Sequence, residues 1–211
     1  MTRTVRASIG IGVIPVLLLA LTTGGTPLRA DVRYSKADSD SLERKISSIV
    51  ASSVVVRREN QRDRERTTPI AEREVNAYLR HGLREQIPAG LSEPTISIVG
   101  GGRLAAQAVV DLDAVRAQSS QSWLDPSAYL TGRLPVTATG VLRTTNGTGR
   151  FHFESATISG VSVPKSVLQS LITYYSRSPE TPNGVSLDDA FDLPAGIREI
   201  RVEPGQALVI Q

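Results

Sequence analysis

The sequence predicts an α+β fold in which an antiparallel sheet packs against helices. Apolar residues recur at helical spacing on both sides of a strand-rich middle, and the strands come in neighbouring pairs joined by short turns. Strands joined in this way are antiparallel, and an antiparallel sheet commonly places one face on helices. A parallel α/β sheet is disfavoured, because its strands would alternate with helices along the chain.

The N-terminal segment, 1–30, is typical of a secretory signal peptide. Arg3 and Arg6 give a basic start, an almost unbroken apolar run extends from Ile9 to Leu21, and small residues precede Asp31. A membrane-spanning helix needs about 20 apolar residues, and this run is shorter. We therefore expect cleavage after Ala30 and a secreted or periplasmic protein, with an uncleaved N-terminal membrane anchor as the alternative.

The composition of the chain excludes disulfide bonds and argues against nucleic-acid binding. The chain has no cysteine, so packing alone must hold the fold in an oxidising compartment. The segment 1–30 contains three arginines and no acid, so the formal net charge of +3 falls to zero without it. A neutral chain has no basic footprint for nucleic acid. We expect no nucleic-acid partner.

Residues 31–66 are predicted to form an N-terminal helix and a charged connection. Leu42, Ile46 and Ile49 lie on one face of that helix. The run 57–66 then contains charges of both signs and no apolar residue. Its acids cancel much of the field of its arginines, so a solvated connection is favoured over a patch for anionic lipids. Peripheral membrane contact is kept as a minor alternative.

Residues 67–211 are predicted to form a single α+β domain. A helix is expected from Ala71 to Leu83, with Thr68 as its cap and Pro69 in its first position. Pro88 is expected to end it.

Three pairs of β-compatible runs follow, each joined by a turn that contains glycine. The middle pair is predicted to be a tight hairpin, because Asn146-Gly147 favours the positive φ angles of a two-residue turn. A core helix is predicted from Val163 to Tyr175, followed by a surface connection over 176–194. The strand pairs are 95–99 with 103–112, 134–144 with 150–158, and 197–202 with 207–210.

No sequence motif indicates catalysis. The chain has two histidines and no Gly-x-Ser-x-Gly, since segment 160–164 lacks the last glycine. Asp111 with Asp113, and 188–189, do not have the ligand spacing of a calcium loop. An enzyme would need Asp111, Asp113 and Glu154 to converge on one cleft. We predict no catalytic residue, no metal ligand and no cofactor.

Two parts of the sequence resemble bacterial envelope proteins. Residues 70–79, Ile-Ala-Glu-Arg-Glu-Val-Asn-Ala-Tyr-Leu, resemble the E-x-E-(L/V)-N-A-Y-L segment of YpmS-like proteins. Residues 160–164 and 193–197 are similar to segments of LmeA-like and AsmA-like C-terminal domains. The resemblance covers 67–211. It implies a curved antiparallel sheet wrapped around a long helix, as in half of a tubular lipid-binding (TULIP-like) module, and a role in lipid binding in the cell envelope.

Two functions remain open at this point. In the first, a non-catalytic envelope protein holds an acyl chain or similar apolar ligand between the sheet and the helix from Val163 to Tyr175. In the second, an envelope assembly or scaffold protein with a filled core acts through protein contacts along 41–66. The residues expected to line the ligand groove are Ile158, Val161, Leu168, Leu171, Ile172 and Tyr175.

Overall fold

The computed structural model of the chain describes residues 34–56, 65–87, 90–114, 132–175, 177 and 181–211. The expected signal peptide and most of the charged run lie outside these residues. The described helices are α1 (Lys36–Val56), α2 (Glu72–His81) and α3 (Lys165–Tyr175). The described strands are β1 (Thr67–Ala71), β2 (Leu91–Gly100), β3 (Arg103–Asp111), β4 (Arg133–Thr145), β5 (Thr148–Ile158), β6 (Val161–Ser162), β7 (Ala190–Asp192), β8 (Glu199–Glu203) and β9 (Gln206–Ile210).

The strands form two antiparallel sheets. The larger has the order β2-β3-β4-β5-β6, with β7 also paired to β5, and the smaller has the order β1-β9-β8. Every pairing between the described strands is antiparallel. The predicted α+β class, with a large antiparallel sheet and few helices, is thereby confirmed.

The three predicted hairpins are present as β2-β3, β4-β5 and β8-β9. Asn146 and Gly147 have φ angles of 49° and 80°, as a type I′ turn requires. Gly140 is needed for a different reason, because a Cβ atom on it would overlap the ring of Phe151. Local turn chemistry at Asn146-Gly147 therefore fixes the β4-β5 hairpin.

The segment before α2 differs from its prediction. The sequence predicts that Thr67–Ala71 leads directly into a helix capped by Thr68, but the segment forms β1, which pairs with β9 through Thr68 and Val209. Ala71 becomes the residue that precedes the helix. The expected surface connection also contains β7, and Val161–Ser162 forms β6 before α3 begins. β1 and β7 form because a distant partner strand is available, whereas β6 pairs with β5 across the short turn at Ser159 and Gly160.

The main core lies on one face of the larger sheet. Ile96, Ala106, Ala138 and Ala156 are buried cross-strand neighbours on β2, β3, β4 and β5. A second, smaller cluster lies against the smaller sheet and contains Ile49 and Val209. Leu42 of α1 belongs to the main cluster and Ile49 to the second, so the N-terminal helix packs on both.

Candidate functional site

Segment 70–79 includes a buried carboxylate, that of Glu74. Glu74 Oε2 accepts hydrogen bonds from the Ala71 N–H at 2.8 Å and from Lys45 Nζ at 2.7 Å, and Oε1 accepts one from the Ser41 hydroxyl at 2.7 Å. Burial alone would raise the pKa of Glu74, but the bonds from Lys45, Ala71 and Ser41 outweigh it and lower the pKa. The carboxylate fastens α2 to α1 and to the end of β1.

The same segment also closes the open edge of β2. The Asn76 amide donates to the Ile96 carbonyl at 2.7 Å and accepts from the Ile96 N–H at 2.7 Å, as a neighbouring strand would. The Ile98 N–H donates to Glu72 Oε2 at 2.6 Å. Asn76 is 1 % exposed. Glu72, Glu74 and Asn76 therefore have a structural role, because their hydrogen bonds hold α2 against α1, β1 and β2.

Edges of the smaller sheet are closed in a similar way. On β8, the Ile200 N–H donates to Thr144 Oγ1 at 2.7 Å, and that hydroxyl donates back to the Ile200 carbonyl at 3.0 Å. On β1, Pro69 has no N–H, and its carbonyl accepts from Lys45 Nζ at 2.7 Å. These backbone groups are not free to pair with an added strand.

The predicted groove residues are only partly brought together. Leu168 and Ile172 of α3 are half-buried and pack against the main core cluster. Ile158 is also half-buried. Val161, by contrast, is 70 % exposed and belongs to neither core cluster. The side chains of Leu171 and Tyr175 lie outside the described part of the structure.

An apolar crevice lies elsewhere, between the end of α2 and the strands β2, β3 and β4. Its volume is about 80 Å³. Leu79 of α2 contributes to it from the helix side, and most of the lining side chains are apolar. The lining residues are Leu79, Leu91, Pro94, Thr95, Ile96, Ala106, Gln107, Ala108, Val110 and Val136.

A β-bulge in β2 forms one wall of this crevice. The register shifts between Ser92 and Thr95, so Glu93 and Pro94 together oppose Ala108 of β3. Glu93 has φ +54°, a left-handed conformation that is uncommon for glutamate. Bulges and residues held in rare backbone conformations cluster at binding sites. The sequence signal for this feature is Pro94, which directly precedes the β-compatible run 95–99.

The crevice adjoins one of the predicted groove residues. Val136 lines it and is the cross-strand partner of Ile158. Direct partners in an antiparallel pair lie on the same face of the sheet, with Cβ atoms about 4.5–5.5 Å apart. The apolar surface therefore continues from the crevice towards Ile158, but it begins beneath α2 and not α3.

Polar groups lie where β2 and β4 begin, beside the crevice. Arg133 Nη2 donates to Ser92 Oγ at 3.0 Å and is 3.6 Å from Glu93 Oε1. Both members of this ion pair are exposed, so it contributes little stability. The pair links the start of β4 to the bulge.

The carboxylates that an enzyme would need do not converge. Asp111 Oδ1 accepts from the N–H groups of Asp113 and Ala114, both at 3.0 Å, so it caps a turn. Glu154 binds Arg103 through two bonds of 3.0 Å, and the hydrogen bond from Arg103 lowers the pKa of Glu154. Arg103 and Asp111 are the two ends of β3, about 27 Å apart at about 3.4 Å per residue.

The described residues contain neither a cluster of metal ligands nor a helix suited to crossing a membrane. No group of three or more potential metal ligands occurs among them. No helix in that part of the chain has the length and apolar character needed to cross a membrane.

Comparison with known proteins gives no match: no family model, curated protein or solved structure aligns significantly with this chain.

Proposed function

We propose that the protein is a non-catalytic protein of the cell envelope, secreted or periplasmic, that binds an acyl chain or similar apolar ligand. The observation that supports this proposal is the apolar crevice at the β2 bulge. An apolar crevice with a distorted backbone at its wall gives an apolar chain a place to enter against a sheet.

The size of the crevice limits what it holds. Ligand pockets commonly measure about 300–1,000 Å³, whereas this crevice measures about 80 Å³. It therefore suits the end of a chain and not a whole lipid. We propose that the rest of the chain follows Val136 and Ile158 towards Leu168 of α3, with the larger sheet curving around that helix as in a half-TULIP-like module.

A substitution that fills the crevice tests the proposal. Ala108→Leu places a larger side chain at the crevice wall, whereas Ala105→Leu makes the same change on the opposite face of β3. We expect Ala108→Leu to weaken binding of a fluorescent fatty acid about tenfold and Ala105→Leu to leave binding unchanged. Thermal unfolding of both variants checks that they fold. Equal binding by the two variants would contradict the proposal.

The scaffold function is the second candidate, and the filled core favours it. Outside the crevice, side chains from all three described helices pack on the inner face of the larger sheet. Native mass spectrometry of the protein purified without detergent separates the candidates. A stoichiometric adduct that extracts as a lipid supports the binding protein, whereas bare protein that also fails to bind the fatty acid supports the scaffold.

A further inference from the structure

We propose that Arg143 and Arg150 form a binding site for a phosphate-type oxyanion on the outer face of the larger sheet. The two residues are direct cross-strand partners on β4 and β5. Their neighbours Leu142 and Phe151 are buried in the main core, so the arginines lie on the opposite face. Both arginine side chains are exposed.

Two facing arginine side chains repel each other electrostatically unless an anion lies between them. Like charges directly opposite in a sheet are destabilising. Each guanidinium carries five N–H donors in a planar fork that matches the oxygens of a phosphate. An oxyanion between the two forks would accept hydrogen bonds from both and cancel their repulsion, and such charge-assisted bonds are the strong ones.

The neighbouring carboxylates do not fill this role. Among the described residues, neither Arg143 nor Arg150 is within ion-pair distance of an acid. Glu154 lies nearby on β5 but is held by both of its oxygens on Arg103. Asp192 of β7 faces Thr148, two pairs along from Arg150 and on the same face of the sheet, and is the acid that competes for the arginine. The guanidinium N–H groups of Arg143 and Arg150 can therefore donate hydrogen bonds to an external anion.

The site is independent of the proposed acyl-chain function. It lies near the Asn146-Gly147 turn, whereas the crevice lies at the other end of β4, beside Val136. The ligand class is a phosphate monoester or diester, either free or in a lipid headgroup.

Thermal unfolding in phosphate tests the pair, with potassium chloride added to keep ionic strength constant. We expect phosphate to raise the Tm of the native protein, and Arg143→Gln or Arg150→Gln to lower its apparent affinity at least tenfold. The control is Arg133→Gln, which removes an exposed arginine from the far end of the same strand and which we expect to bind phosphate normally. Arg133 pairs with Glu93, so its loss relieves no repulsion.

A second readout distinguishes a facing pair from a general basic surface. Without phosphate and at low salt, either single variant should have a higher Tm than the native protein, and added salt should erase the difference. The double variant should lose more phosphate affinity than either single variant, because each fork donates its own hydrogen bonds to the anion. Losses equal to that of Arg133→Gln would overturn the proposal.

Flotation with vesicles identifies the source of the phosphate group. Binding to phosphatidylglycerol vesicles that is lost in Arg143→Gln and kept in Arg133→Gln assigns the site to a lipid headgroup. A response to inorganic phosphate without such vesicle binding assigns it to a free phosphate compound. If neither probe distinguishes Arg143→Gln from the control, the proposal is wrong.

Discussion

At the scale of single residues, the most informative side chain is the carboxylate of Glu74. It is buried, yet it accepts hydrogen bonds from Lys45 and Ser41 of α1 and from Ala71 at the end of β1. A buried acid without such partners would be protonated or would destabilise the fold. Here burial is outweighed, and the lowered pKa makes the charged form a source of stability.

Glu74→Gln is therefore expected to destabilise the protein by about 1–3 kcal/mol at neutral pH, because Lys45 loses its partner and the acceptor set is disrupted. Urea unfolding measures this. Since the folded pKa lies below the ordinary 4.5, the contribution is present above pH 4.5 and is lost as the pH falls below it.

The control for this prediction is Glu85→Gln, which changes an exposed acid just beyond α2. It should alter stability by less than about 0.5 kcal/mol. A difference between native protein and Glu74→Gln that persists unchanged well below pH 4.5 would show that the charge of Glu74 is not the cause.

At the scale of elements, pairing between strands that are close in sequence can be predicted from the sequence, whereas pairing between strands that are far apart in sequence cannot. The β4-β5 hairpin is encoded by Asn146-Gly147 and its flanking strands, so its pairing is local and can be predicted. β1 pairs with β9, which lies far away in sequence, and nothing within Thr67–Ala71 indicates which strand it will pair with. Its Thr-Thr-Pro start also satisfies the rules for a helix N-terminus, which is why the sequence predicts that the helix begins there.

The candidate site follows the same division. The periodicity of apolar residues predicts the helix that carries Leu168 and Ile172. It also predicts that this helix contacts the core. The crevice cannot be predicted, because it depends on the register shift between β2 and β3 and on the approach of Leu79 from α2. Pro94 is the visible clue, and it marks only that the ladder is interrupted there.

Sealing of the β2 edge by Asn76 can be tested with a pair of substitutions. Asn76→Leu keeps the branched shape of the side chain but leaves the N–H and carbonyl of Ile96 unpaired, so we expect a loss of about 2–4 kcal/mol. Asn76→Asp keeps the acceptor for the Ile96 N–H but turns a buried carboxylate oxygen towards the Ile96 and Glu72 carbonyls, so its loss at neutral pH should be at least as large and should shrink as the carboxyl group is protonated at low pH. Urea unfolding gives both values.

The open edge should also promote association, because unpaired strand edges template pairing with other chains. Light scattering after mild heating is expected to rise more for Asn76→Leu than for the native protein. Unchanged stability of Asn76→Leu would mean that the amide does not act as a substitute for a strand.

At the scale of the whole molecule, α1 joins the two ends of the described chain into one folded unit. Leu42 packs in the main cluster and Ile49 in the second. The C-terminal Gln211 donates through Nε2 to the Ile49 carbonyl at 2.9 Å, and Arg66 Nη2 donates to Ser48 Oγ at 2.6 Å. Contacts between residues this far apart in sequence bind α1 to the sheets, so it should unfold with them.

Leu42→Ala tests that cooperativity. The side chain is 5 % exposed, so its truncation should cost about 2–5 kcal/mol, through lost burial and the cavity left behind. The exposed Arg44→Ala on the same helix should cost less than about 0.5 kcal/mol. If α1 folds with the sheets, Leu42→Ala lowers one urea midpoint, and amide exchange accelerates equally in α1 and in β4. If exchange accelerates in α1 alone, the helix is a separate appendage. Its apolar face would then be available for the protein contacts that the scaffold function requires.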